Sequence, residues 1–138
     1  QLEAAGFKVT QDVREYNQIE SEALAGKFHA VLVSRSTVLD SGDAVAYMTA
    51  DFSSSGSYSM SGLHDEKVDA AISKAAATQP GDERHKAIMA AEQAILASGA
   101  AIPLAHERVI QGEAAGISGA QRDPGERALI TSATTVKK

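Results

Sequence analysis

The chain has no cysteine, which excludes disulfide staples, thiolate nucleophiles and the cysteine-based zinc sites, and leaves the redox compartment open. Long hydrophobic runs are missing as well. No apolar stretch exceeds about six residues, against the roughly 20 that a membrane-crossing helix needs. Positive charge is scarce: 13 Lys and Arg face 18 Asp and Glu, for a net charge of −5. Without a basic cluster the chain is a poor match for phosphate backbones, so nucleic acid is not an expected partner. With 138 residues, 43% of them apolar, the chain suits one globular domain. Gln1-Leu2-Glu3-Ala4-Ala5-Gly6 reads as the last turn of a helix closed by a glycine, not as a signal peptide, and suggests a piece of a longer chain.

The apolar spacing predicts an order of elements. Phe7 to Val13 alternates apolar and polar residues, the period of a half-buried strand. Glu15 to Ala25 places Tyr16, Ile19, Ala23 and Leu24 at helical spacing and ends at Gly26. Phe28 to Val33 is a nearly continuous apolar run that suits a strand covered on both faces. Strand, helix and strand make a right-handed βαβ unit. The polar segment from Ser34 to Gly42 follows directly, at the strand end where open α/β sheets place ligands. Asp43 is positioned to cap a helix carrying Val45, Ala46, Met48 and Phe52, and residues 53–62 form a serine-rich loop expected to be mobile. Asp65 caps a second helix with Val68, Ala71, Ile72 and Ala75 on one face. Pro80 opens a third, in which Ile88, Ala91 and Ile95 share a face before Gly99. Ala101–Ala105, Arg108–Ile110 and Ala128–Ile130 read as short strand pieces.

Catalytic motifs fail on inspection. His106-Glu107 lacks the second histidine of a zinc-protease helix, Gly112, Gly116 and Gly119 lack the dinucleotide spacing, and no GxSxG elbow occurs. His29, His64, His85 and His106 are scattered and read as surface or half-buried polar residues. Asp40 and Asp43 are three apart, a spacing open to an acid/base pair or an amine site. Asp43 reads more simply as a helix cap, and Asp40 as either a turn residue or a ligand acid. Arg35 is a better ligand candidate than Lys27 because it lies in the polar segment after the strand. Tyr58 is either a lid over a ligand or a tether for its own loop.

The order of segments resembles the C-terminal part of an extracytoplasmic solute-binding protein of the peptide/nickel (oligopeptide, dipeptide) ABC-importer family. Leu2-Glu3-Ala4-Ala5-Gly6-Phe7-Lys8-Val9 resembles its L-x-x-A-G-(I/F)-x-V passage, and Ala25-Gly26-Lys27-Phe28-His29-Ala30 its A-G-x-(F/Y)-D-A. Gly62 to Ile72 is similar to G-Y-S-N-P-E-V-D-A-L-I. Asp82-Glu83-Arg84 through Ile95-Leu96, then Ala101-Ile102-Pro103-Leu104, resembles A-E-R…A-E-x-I-L…P-x-I-P-L, and Ile117-Ser118-Gly119 resembles the closing V-x-G. These pieces span nearly the whole chain. The family's W-x-x-D-x-x-(D/E)-P is altered here: Ser34 stands for the Trp, Thr37 for the amine-binding Asp and Ser41 for the Pro, while Asp40 keeps its acid. A threonine hydroxyl cannot match a carboxylate against an ammonium.

The resemblance implies an α/β fold, an incomplete periplasmic-binding-protein-like (type II) lobe with a βαβ start, Ala-rich helices and a returning C-terminal segment. Residues 1–104 would be most of the ligand-binding lobe and 105–138 the returning segment. It also implies a binding protein and not an enzyme, without a cofactor or metal, located in the periplasm or on the cell surface as a lipoprotein. A small solute or short peptide would lie against Arg35, Ser36, Thr37 and Asp40 with Tyr58 as a lid. Its partners would be the membrane subunits of an ABC importer, with self-association of the fragment. A protein-interaction module with a vestigial cleft is the alternative, and an enzyme built on Asp40 and Asp43 a more remote one.

Overall fold

A computed structural model of the chain describes residues 1–35, 42–106, 110, 112–121 and 130–137. After a single 3-10 turn at Glu3–Ala5, the helices are α1 (Tyr16–Leu24), α2 (Ala44–Phe52), α3 (Glu66–Ala77) and α4 (Asp82–Ala97). Strands β1 (Ile117–Ser118) and β2 (Thr135–Val136) pair antiparallel, with Ile117 opposite Val136 and Ser118 opposite Thr135.

The helices start and stop where the chain carries capping groups. The Asp43 carboxylate accepts from Val45 N at 3.0 Å, and that of Asp65 from Lys67 N at 2.8 Å and Val68 N at 3.3 Å, satisfying donors that a helix start leaves open. Gly26 and Gly99 follow α1 and α4 with φ of 69° and 75°, the left-handed turn that ends a helix. Pro80 lies just outside α4 and not at its first position, because Gly81 serves as the N-cap.

The core lies among α2, α3 and α4. Val45, Val68, Ile72, Ala75, Ala87, Ala91 and Ile95 are buried, with Met48, Phe52, Leu63, Ala71 and Ile88 packed against them. Each buried Val or Ile contributes roughly 1.5–3 kcal/mol relative to exposure. Ala75 and Ala91 are fully buried. Their small side chains let α3 and α4 pack closely as a hairpin across the short loop 78–81. Helix α1 shares no helix–helix interface with this body.

The strand expectations are corrected. Phe7–Val13, Phe28–Val33 and Ala101–Ala105 form no strand, so no βαβ crossover is built among the described residues. A buried parallel strand needs a hydrogen-bonding neighbour on its edges and a cover on each face. Here Phe7, Val13, Leu32, Ile102 and Leu104 are all exposed, Val13 at 87% and Leu32 at 80%. Arg108 and Val109 lie outside the described residues, as do Ala128 and Leu129.

The serine loop, expected to be mobile, is hydrogen-bonded to the neighbouring helices. Ser53 Oγ donates to Thr49 O at 2.7 Å, Ser54 N to the Asp69 carboxylate at 2.8 Å, and Tyr58 N to Ala50 O at 2.9 Å. Gly56 is required by this course, since a Cβ there would collide with the carbonyl oxygens of Thr49 and Ala50.

Candidate functional site

Tyr47 and Asp51 are four residues apart on α2 and therefore stand on one helix face. Tyr58 is brought to the same place by its backbone bond to Ala50. Into this setting the chain inserts Arg35. One guanidinium nitrogen donates to Asp51 Oδ1 at 2.9 Å, and the Arg35 Cζ lies 5.4 Å from the Tyr47 ring centroid and 5.2 Å from that of Tyr58. Cation–π attraction and ion pairing thus act on one group. The Tyr47 ring also meets Phe52 edge-on at 6.0 Å, which fixes its orientation from the core side. From α1, Glu20 accepts the Tyr58 hydroxyl at 3.0 Å.

The Asp51 side chain is only 11% exposed, so it is a poor site for an uncompensated charge. Partial burial works against the Arg35 charge. The Asp51 carboxylate overrides it by attraction and hydrogen bonding, with Tyr47 assisting, and holds the guanidinium above its ordinary pKa. The Tyr58 phenol is pushed up by its hydrogen bond to Glu20 and by the charge there; Tyr16 is pushed up by burial and the same carboxylate. All three tyrosines of the chain therefore gather around one guanidinium and two carboxylates.

A second feature adjoins α2. An open groove of about 540 Å³ runs past Asp43, Thr49, Ser55, Ser57 and Arg84. Its charges are already engaged: Arg84 pairs with Asp43 at 2.7 Å and donates to Ala75 O at 2.7 Å and Thr78 O at 2.9 Å. The Thr49 hydroxyl donates to Val45 O at 2.8 Å and that of Ser55 lies 3.3 Å from the Ser53 hydroxyl, so these two offer a polar ligand chiefly lone pairs, beside the Arg84–Asp43 ion pair.

Of the residues expected to bind a ligand, Arg35 and Tyr58 are brought together, while Ser36, Thr37 and Asp40 lie outside the described residues. Asp43 is a helix cap. No group of three or more His, Asp or Glu side chains gathers into a potential metal site among the described residues. Sequence reasoning missed Tyr47, Asp51, Glu20 and Arg84. The Tyr47–Asp51 spacing was the available signal, a polar pair on one face of a helix whose other face is apolar. Arg84 gave no local signal, because its acceptors lie on two other elements.

Comparison of the chain with protein-family models, curated proteins and solved structures finds no match. Among the described residues no helix is long and apolar enough to cross a membrane.

Proposed function

We propose that the chain is most of the C-terminal ligand-binding lobe, with its returning segment, of an extracytoplasmic solute receptor of the kind that delivers peptides or related small molecules to an ABC importer. It binds without bond chemistry and closes against a partner lobe. One wall of the cleft would come from the segment after the second apolar run, of which residues 36–41 lie outside the described residues. The observation that carries this reading is the placement of that segment's two described flanks. Arg35, before it, sits in a polar aromatic cluster with Tyr58, and Asp43, after it, lines the open groove beside α2. The ordered sequence likenesses at Gly62–Ile72 and Asp82–Leu104 support the same assignment.

The test is calorimetry of the full chain against short peptides and nickel chelates. A saturable ligand whose affinity falls at least about tenfold in Asp40→Ala or Thr37→Val supports the cleft. Equal affinity in both variants places the ligand elsewhere. A second reading, a protein-interaction module with a vestigial cleft, is favoured by one observation: Arg35 is already committed to Asp51. A protein partner together with silence toward the whole ligand panel would select it.

A further inference from the structure

We propose that Tyr47, Tyr58 and Asp51 form a binding slot for a guanidinium or alkylammonium group, and that the chain's own Arg35 fills it in this structure as an internal stand-in. The backbone of each wall is placed by elements other than the one that carries the occupant. Tyr47 and Asp51 belong to α2, and Tyr58 is fixed by its backbone bond to Ala50 within a loop tied to α2 and α3. Arg35, by contrast, is carried by residues 30–35, which form neither helix nor strand. Walls on a helix and a hydrogen-bonded loop, with the occupant on irregular chain, are the arrangement in which the occupant can be exchanged while the site persists.

The chemistry selects a cation. Two aromatic faces lie at 5.2 and 5.4 Å from the guanidinium carbon, and a carboxylate that is nearly buried meets it at 2.9 Å. With Glu20 bonded to Tyr58, the cluster holds two carboxylates for one guanidinium, so its formal charge stays negative with Arg35 in place. A neutral or anionic group would leave Asp51 uncompensated. The slot stands on the geometry of α2 and the serine loop and does not depend on the receptor assignment. Asp40→Ala, which tests that assignment, should leave it unchanged.

The experiment uses tyrosine emission, which is undisturbed because the chain has no tryptophan. The probe is N-ethylguanidinium chloride, with ethylurea as its uncharged counterpart. Arg35→Ala should bind ethylguanidinium saturably and at least about tenfold more tightly than the parent chain, in which Arg35 competes. Adding Asp51→Asn to Arg35→Ala should weaken that binding at least about tenfold, and ethylurea should give no saturable change. An Arg35→Ala chain with native helical dichroism that shows no saturation, responds equally to ethylurea or ignores Asp51→Asn overturns the proposal. If Arg35→Ala does not fold, Arg35→Gln replaces it. Independently of either variant, a parent chain that shows no saturable response up to about 0.1 M ethylguanidinium also overturns it.

Discussion

Replacing Arg84 by Met keeps the aliphatic stem and removes the guanidinium that ties three helices together. Helix α3 ends at Ala77, so the carbonyls of Ala75 and Ala76 belong to its open C-terminal turn, and Thr78 is its C-cap. Arg84 donates to Ala75 O and Thr78 O at 2.7 and 2.9 Å and more weakly to Ala76 O at 3.3 Å, while its other nitrogen meets the Asp43 cap of α2 at 2.7 Å. The two short carbonyl bonds are worth about 1 kcal/mol each. A cation at the negative end of α3 adds about 0.5 kcal/mol. The pair with Asp43 adds only about 0.5 kcal/mol, because the Asp43 side chain is 41% exposed. Arg84→Met should therefore lower stability by about 3 kcal/mol, read from urea transitions followed by far-ultraviolet circular dichroism. In about 1 M NaCl the Asp43 portion should fade while the carbonyl portion persists. Arg84→Lys should recover less than half, since one ammonium cannot span carbonyls and carboxylate together. A loss below about 0.5 kcal/mol for Arg84→Met would refute the clamp.

Gly56→Ala should destabilise by about 2 kcal/mol or more, since the added methyl meets two backbone carbonyls that cannot swing aside; an unchanged melting temperature would count against the close approach. The hydrogen bonds from Ser54 hold the Asp69 carboxyl below the usual aspartate range. Its stabilising contribution is present above the unfolded pKa of about 4 and is lost as pH falls through the folded value, and Asp69→Asn should flatten stability against pH in that acid window. The Tyr58 and Tyr16 phenols, raised by Glu20 and by burial, work in the opposite direction. Their contribution is complete below the ordinary tyrosine pKa of about 10 and is lost as pH rises through the folded values, and phenolate absorbance of the folded chain should lag that of the urea-unfolded chain. The exposed Phe7, Val13, Leu32, Ile102 and Leu104 lead to an expectation of self-association, seen as concentration-dependent sedimentation; a single monomeric species at all concentrations would contradict it.

The sequence by itself determined the helices and their ends. Stripes such as Val68, Ile72 and Ala75 recur at the helical period, and Asp43, Asp65, Gly26 and Gly99 supply the terminal hydrogen bonds and turns from within the same few residues. These signals are local, so they survive without knowledge of the rest of the chain. Strand formation is not local. Phe28–Val33 has the composition of a buried strand, yet a strand exists only where another edge accepts its hydrogen bonds, and none of the described residues pairs with this run. The serine loop shows the same limit in the other direction: its composition reads as loose, but backbone bonds to α2 and the Asp69 carboxylate fix it. Only the tertiary structure could bring Arg35 to Tyr47, Asp51 and Tyr58, or Arg84 to Asp43 across 41 residues. Such pairings depend on how separate elements dock, and the sequence around each partner carries no record of the other.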